Sequence, residues 1–468
     1  MHKALAATGT LFLAGCATLA PSYREPPLPV VDRWPIPAET AAAPTPVADI
    51  GWRDFVADER LEQLIARALE SNRDLRIAVL NVQRVRGLYR IQRADRLPTV
   101  GVGAQASRQR QPDAAGGGIV EQYGVDLGIA AFELDFFGRV RNLSEAALQS
   151  HLAQEQTRRT VQLALIADVA RAWVTLAADR ELLRLAEQTL AAEQRTYELI
   201  VRQHDLGRVS GLVLHQARTT VARARVDVAR YAGNVEQDVN AVSLLVGGVI
   251  EDALQPDGFD VAVTGLHRLP PGLPSQVLLR RPDVLAAEHA LRAAHANIGA
   301  ARAAFFPSIQ LTGAVGTASA DLDGLFQSGS QTWSFVPRID LPIFDLGRRS
   351  ANLAVAKADR DIALNRYDQA IQTGFREVSD ALALTRTLAE QREAQAELAQ
   401  AAESAYELSR ERFRAGLDSF LNVLDSQRTW YAAQQDLIST HLAEAVNRIS
   451  LYSVLGGGWQ ERNEANER

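Results

Sequence analysis

Few residues in this chain could do covalent chemistry. There is one cysteine, Cys16, and there are eight histidines among 468 residues. His289 and His295 stand six apart on a stretch that reads as helix. That spacing puts them about 120° apart around the axis, which is poor for a shared metal ion. No His-Glu-x-x-His, Cys-x-x-Cys or Gly-x-Ser-x-Gly pattern occurs. The only lysines are Lys3 and Lys357, so no lysine sits in a Gly-rich phosphate loop and a P-loop nucleotide site is excluded. The histidines read as surface groups. The expectation is no catalytic residue, no metal and no cofactor.

Cys16 has no partner for an internal disulfide, but its surroundings are informative. His2 and Lys3 precede a short apolar run from Ala4 to Leu13, and small residues follow. This is the pattern of a secretory signal. The run is too short to cross a bilayer, which takes about 20 residues as a helix. No later stretch reaches about 18 consecutive apolar residues. Leu13-Ala14-Gly15-Cys16 resembles the bacterial lipobox, in which the cysteine becomes the lipid-bearing first residue. The alternative is an ordinary signal with a chance cysteine. Ala17 follows where some lipoproteins carry aspartate, and in that motif's sorting logic this resembles an outer-membrane address. Residues 17 to 48 hold eight of the 18 prolines. Such a segment extends at ~3.1 Å per residue and could reach on the order of 90 Å. It reads either as a disordered tether or as a strap along the body. The net charge of −6 is mild and argues against a nucleic-acid partner.

The elements behind these residues come in two copies. Gly138 and Gly347 stand 209 positions apart. The pairs Asp74/Asp283, Pro98/Pro307, Gly207/Gly416, Ser210/Ser419 and Gly247/Gly456 keep the same offset of 209. One offset across six landmarks makes the chain a tandem duplication. In each copy a helix-like stretch comes first, near 58–70 and 74–96 and again over 283–305. Period-2 runs follow. Val100, Val102, Ala104 and Ala106 alternate with small or polar residues, as do Tyr123, Val125, Leu127 and Ile129. In the second copy the runs are Ile309, Leu311 and Val315, then Trp333, Phe335, Ile339, Leu341 and Ile343. Such alternation marks strands with one apolar face.

At Gly138-Arg139 and Gly347-Arg348 the period changes. Residues 139–205 and 347–414 contain no proline. Ile371, Phe375, Val378, Leu382 and Leu388 recur near 4-3-4, as do Ile166, Val169 and Trp173 on the matching stripe. This predicts coiled-coil-like helices, each ~100 Å long at ~1.5 Å per residue. Each ends at a glycine, Gly207 or Gly416, and a serine follows, Ser210 or Ser419. Glycine supplies a left-handed stop, and serine is expected to cap the next helix.

Alternating segments of about ten residues are the signature of transmembrane barrel strands. Unpaired amides in hydrocarbon cost several kcal/mol each, so open sheet edges are not tolerated there. Four strands per chain are too few to close a barrel, because known bacterial barrels begin at about eight. Other copies of the chain must complete it. The alternative is a soluble antiparallel sheet packed on helices.

In this arrangement the chain resembles the bacterial outer-membrane efflux factor family of the TolC/OprM type, within its drug-efflux lipoprotein subgroup. The resemblance covers essentially the whole mature chain. It rests on Asn72-Arg73-Asp74-Leu75, Arg280-Arg281-Pro282-Asp283-Val284, the run from Ile298 to Ile309, Phe344-Asp345-Leu346-Gly347-Arg348, and Leu455-Gly456-Gly457-Gly458-Trp459. It implies a mixed α/β membrane channel, with four antiparallel transmembrane β-strands and long coiled-coil-like helices per chain. A homotrimer would close a twelve-stranded β-barrel continuous with a twelve-helix α-barrel. It also implies a periplasmic adaptor (membrane fusion) protein, an inner-membrane pump of the resistance-nodulation-division type, and outer-membrane lipid around the strands. The expected organisation is a signal peptide at 1–15, lipidated Cys16 and a strap over 16–57, a first repeat at 58–247, a linker at 248–282, a second repeat at 283–456 and a tail at 457–468. Strand hairpins are expected at 97–137 and 307–344, and helical hairpins at 139–246 and 347–455.

In the family the helical tips meet the adaptor and close the resting channel. Here the tips are Leu206, Gly207, Arg208, Val209 and Ser210, and Ala415, Gly416, Leu417 and Ser419. The gate candidates are Arg414, Asp418 and Asp425. Three copies of an aspartate in a constriction would repel anions and favour cations. A helix-start aspartate favoured by the helix dipole is the plainer reading. Phe413 stands where some members carry a latch tyrosine, and Val213 where some carry aspartate. Closure is therefore expected from tip packing with Arg414 or Asp418. At the joints, Gly138 and Gly347 are expected to permit a bend, and Arg139 and Arg348 to meet headgroups or cap the interface. The rival functions are a type I protein-secretion channel and a lipid-anchored helical scaffold without a pore. Conductance would separate the scaffold from a channel.

Overall fold

The computed structural model describes residues 18–31, 34, 50–112, 117–256, 258–259, 266 and 275–458. The signal segment, Cys16 and most of the C-terminal tail lie outside the described residues. Two compact units share the chain. One comprises Met1–Pro27, Leu80–Glu155 and Ala286–Gln369, and the other Leu28–Val79, Gln156–Leu285 and Ala370–Arg468.

Helices and strands alternate as the periodicity predicts. Short α1 (Trp52–Phe55) leads to α2 (Glu59–Ser71) and α3 (Arg73–Ala94). Strands β1 (Val100–Gln111) and β2 (Gly118–Glu133) precede α4 (Arg139–Asp205) and α5 (Gly211–Val246). The second copy runs α6 (Pro282–Ala303), β3 (Ser308–Ser319), β4 (Gln331–Asp340), α7 (Arg348–Arg414) and α8 (Phe420–Val454). Pro282 opens α6, where a missing N–H costs nothing. Both α4 and α7 have 67 residues.

The first unit holds one antiparallel sheet in the order β1-β2-β3-β4. Each outer strand, β1 and β4, has one partner within the chain. The register lines up Val102, Leu127, Val315 and Trp333 as one row across all four strands. This row faces outward: Val102 is 75% exposed and Trp333 80%. A register shift between Ile129 and Phe132 makes a bulge, with Ala131 at φ 50° and its N–H on Thr312 Oγ1 at 3.1 Å. The expected alternation through Leu341 and Ile343 is not realised. The strand β4 stops at Asp340, and Pro342, which has no N–H to donate, lies just beyond. Pro337 sits inside β4, an outer strand of this sheet, where such a residue is tolerated.

The segment from Thr18 to Tyr23 docks as a strap. Thr18 Oγ1 donates to Asn142 Oδ1 at 2.9 Å, and Arg302 donates to the Leu19 carbonyl at 3.1 Å. The Tyr23 hydroxyl donates to Glu288 at 3.1 Å, its ring meets His295 edge-on at 5.5 Å, and Arg292 covers it at 4.8 Å. Beneath it α4 and α6 meet through the small residues Ala146, Ala293 and Ala296.

The second unit has a large apolar core that includes Trp52, Phe55, Leu61, Leu64, Ile65, Val169, Trp173 and Leu278. Phe55 stacks on Tyr452 at 4.0 Å, and the Tyr452 hydroxyl donates to the Ile50 carbonyl at 2.8 Å. The 4-3-4 stripe is buried at Ile371, Val378 and Leu388, and Phe375 stacks on Trp34 at 4.7 Å. The most apolar window of α4 is 61% buried within the chain, as in a core helix. Asn72 is extended between α2 and α3. Its side chain accepts from Leu75 N at 3.0 Å and donates to the Leu245 carbonyl at 3.0 Å.

The four main-chain turns that end α4, α5, α7 and α8 share one hydrogen-bond pattern. Gly207 N and Arg208 N bond to His204 and Gln203 carbonyls, and Gly416 N and Leu417 N to Phe413 and Arg412 carbonyls. Gly247 with Gly248, and Gly456 with Gly457, repeat this double bond. It is the Schellman closure, and it recurs at the sequence offset.

Side-chain volume is forbidden in the sheet at Gly128 and, most severely, at Gly316. A Cβ on Gly316 would lie 2.7 Å from Asp126 Cα and collide with the Val125 carbonyl. Gly316→Ala is expected to destabilise the sheet by about 1–3 kcal/mol through overpacking. Loss of the β-sheet circular dichroism signal at lower temperature than wild type checks this. An unchanged melt would show that the strands can spread.

Candidate gate, tips and joints

The tips form because glycine accepts a left-handed backbone. Gly207 has φ 66° and Gly416 φ 75°, values that a β-branched residue resists. Ser210 and Ser419 take the extended conformation of a cap, with φ −79° in both. The expected side-chain caps are absent, however: neither serine makes a side-chain hydrogen bond to the first turn. Both are exposed, so water can satisfy those amides and the hydroxyl is not required.

The two tips belong to one packed cluster in the second unit. Ile200, Ala217, Tyr406, Phe420 and Val423 are buried together, with Val209, Val213 and Phe413 against them. Phe413 meets Phe420 at 5.3 Å with the rings tilted by 51°, and Tyr406 stacks on Trp430 at 5.2 Å. Phe413 thus serves as an apolar contact. Leu206 and Leu417 point the other way, each 68% exposed. Gly207, Arg208, Ala415 and Gly416 are also exposed, which leaves both turns as a free, partly apolar surface.

Of the charged candidates, Asp418 is tied within its own turn. Its carboxylate accepts from Arg412 Nε at 2.6 Å. Arg414, the other residue expected to serve closure, is exposed. The Arg412 guanidinium keeps the Asp418 carboxyl below the usual carboxylate range. Asp425 is exposed and pairs with Arg428 one turn on at 3.0 Å. Sequence reasoning missed Arg412. The pairing depends on the folded turn: a helix that closes through a Schellman turn brings positions 412 and 418 side by side. The first tip has Gln203 and Val209 at the matching positions, so it lacks this pair.

Sequence reasoning also missed Glu193. It is buried, accepts from Thr220 Oγ1 at 2.5 Å, and accepts from the Gln427 amide. It thereby links α4, α5 and α8 beside a groove of ≈ 220 Å³ that also includes Thr189, Arg223 and Tyr431.

At the joints Gly138 has φ 75° and Gly347 φ 88°, with Leu346 at φ 56° beside it. The Arg139 side chain is partly exposed and paired within the chain. It is held by Glu133 of β2, with Nε to Oε1 at 2.8 Å. Its counterpart Arg348 is exposed, and Arg349 takes the pairing role instead. Arg349 bonds Asp345 at 2.7 Å and lies 5.7 Å over the Phe305 ring. Asp135 and Asp345 accept from Arg141 N at 2.7 Å and Arg349 N at 3.0 Å, so an acid serves the start of each long helix.

The Arg412–Asp418 pair has a defined pH response. A depressed carboxyl pKa means the pair is present above the ordinary range and is lost only as pH falls through the lowered value. Arg412→Gln is expected to return the Asp418 midpoint toward about 3.9. A carbon-13 NMR titration of the labelled carboxyl reads this, and an unmoved midpoint would remove Arg412 as the cause.

Comparison with known proteins places this geometry. The family described as "Outer membrane efflux protein" matches twice, over residues 64–248 and 273–457. The two matches are separated by the same 209 positions as the sequence repeat. The "Toluene efflux pump outer membrane protein TtgC" of Pseudomonas putida is 46% identical over 470 residues, covering 98% of this chain and 96% of that protein. The "Antibiotic efflux pump outer membrane protein ArpC" of Pseudomonas putida matches equally, at 46% with the same coverage. The open-state MtrE outer membrane channel of Neisseria gonorrhoeae superposes with a TM-score of 0.87 at 39% identity, covering 96% of this chain and all of that one. With its duplicated helical hairpins, four-stranded sheet and left-handed tips, this chain belongs to the outer membrane efflux protein family.

Proposed function

We propose that three copies of this chain form the passive outer-membrane duct of a tripartite efflux system. Drugs, organic solvents or other small toxic compounds would pass from an inner-membrane pump of the resistance-nodulation-division type, through a periplasmic adaptor, to the exterior. The observation that carries the reading is the sheet: its apolar face is exposed, and β1 and β4 each have an open edge. Three copies supply twelve strands and abolish those edges. From Ile309 to Ser319, β3 runs ~34 Å at ~3.4 Å per residue, or about 26 Å in height at a tilt of ~40°. That matches an outer-membrane apolar band of about 25 Å. Helices α4, α5, α7 and α8 of each chain would line the continuing tunnel.

The names of the relatives support toluene and antibiotics as cargo classes. Energy and substrate choice would belong to the pump, and this chain would carry no catalytic step. The exposed turns around Leu206 and Leu417 would meet the adaptor, and Arg414, Asp418 and Asp425 would shape the mouth. The joints would mark the membrane boundary. Cys16 would be lipidated, and the docked strap that begins at Thr18 would lead from that anchor to the helices.

Deletion of the gene is expected to raise sensitivity to toluene and to hydrophobic antibiotics several-fold, with recovery on re-expression. Unchanged sensitivity would count against efflux. In planar bilayers the purified protein is expected to conduct, which a scaffold would not. Asp418→Ala and Asp425→Ala are each expected to reduce its cation preference, and unchanged selectivity would remove that residue from the gate. Cys16→Ala is expected to abolish palmitate labelling, and retained label would show that the acyl chains sit elsewhere.

A further inference from the structure

We propose that the groove between α4, α5 and α8 is a binding site for a small organic cation, a primary ammonium on a compact apolar body, with the Glu193 carboxylate as its counter-charge. Glu193 is 4% exposed. A buried carboxylate needs an ion pair or a full set of donors. Glu193 has neither. Thr220 Oγ1 donates to Oε2 at 2.5 Å, and the Gln427 amide donates to Oε1. Both donors are neutral. Thr220 has one hydroxyl hydrogen, and the Ala217 carbonyl competes for it at 2.8 Å. An ionised carboxylate offers about four lone-pair sites, so acceptor capacity remains.

The other charges of the groove do not neutralise Glu193. Arg428 pairs with Asp425 at 3.0 Å, and Asp227 is paired with Arg230 at 2.9 Å. Arg223 lines the groove at its exposed rim and makes no ion pair with Glu193.

The duplication shows that helix packing does not require the acid. At the offset of 209, Glu193 corresponds to Ala402 and Ala224 to Ala433. Ala402 and Ala433 are buried together with Ala399, and Trp430 and Leu437 pack against them. The matching seam therefore closes on small apolar residues. In the first hairpin a carboxylate replaces the methyl group, beside Ala224 and a cavity of ≈ 220 Å³. Drug-sized ligands usually take about 300–1,000 Å³, so this space suits a more compact molecule. Leu421 and Leu424 give it an apolar wall. Tyr431 also lines it, and its hydroxyl oxygen is buried with no hydrogen-bond partner among the described residues. An ammonium group has three donors, which the Glu193 carboxylate, the Tyr431 oxygen and the Thr189 hydroxyl can accept. Helices α4 and α5 belong to the first hairpin and α8 to the second, so an occupant ties the two together. The whole site lies in the second unit, and it stands independently of the duct reading.

Isothermal titration calorimetry at neutral pH, on the purified full-length protein in an uncharged detergent, tests the site. The probes are phenethylammonium, 2-phenylethanol and phenylacetate, which share a body and differ in charge. The ammonium is expected to bind at one site per chain. The alcohol and the carboxylate should bind about tenfold more weakly or worse, since a charged hydrogen bond is lost. Glu193→Gln keeps the shape and an acceptor oxygen, so it is expected to fold. It should weaken the ammonium by about tenfold or more and abolish the rise in Tm that the ammonium gives the wild type. Equal binding of the alcohol would show an apolar groove alone, and preference for phenylacetate would show a site governed by Arg223. Either result overturns the assignment, as does an absence of binding at millimolar ammonium or an unchanged affinity in Glu193→Gln. The probe comparison needs no variant, so it decides the matter even if Glu193→Gln fails to fold.

Discussion

A backbone amide cannot lie unpaired in hydrocarbon without a cost of several kcal/mol. That constraint governs this chain. Its sheet has four strands and two open edges, and the row from Val102 to Trp333 turns apolar side chains outward. Strands so short in number and so apolar on one face make sense only as part of a larger closed surface. The glycines at 128 and 316 let neighbouring strands approach so closely that an added methyl would collide with backbone.

The duplication repeats the backbone more faithfully than it repeats the chemistry. Two helices of equal length, two left-handed tips and four Schellman closures recur at one offset. These features depend on glycine and on helical period, and both copies preserve them. The polar groups differ. Asp418 answers to Val209, Glu193 to Ala402 and Asn447 to Asp238. Each such difference places a charge or an amide in one hairpin that the other does without. The scaffold is thus pseudo-symmetric, while its electrostatics are not.

Buried polar side chains in the second unit lock particular neighbours together. Asn72 ties the α2–α3 break to the end of α5, Glu193 ties α4 to α5 and α8, and Asn447 ties α8 to α7. Apolar stripes alone allow helices to slide by a turn. A satisfied polar contact at one height penalises every other register, as a single buried asparagine does in coiled coils.

Much of the fold was legible in the sequence because its determinants are local. Period 2 against period 3.5 separates strand from helix within about ten residues. A glycine at a helix end announces a left-handed turn, as at Gly207 and Gly416. The fixed offset revealed the repeat before any contact was known. The charged and polar pairings were not legible. Arg412 meets Asp418 only because the tip turn folds it back, and Arg139 meets Glu133 only across the joint. Ser210 and Ser419 sit in cap geometry without bonding, and β4 ends at Asp340 although the alternation runs on. Thr18 to Tyr23 docks on helices more than a hundred residues away. Steric and periodic preferences are properties of short segments, so the sequence by itself determined them. Pairing, burial and protonation depend on which distant groups share a space from which water is excluded, and only the tertiary structure decided that.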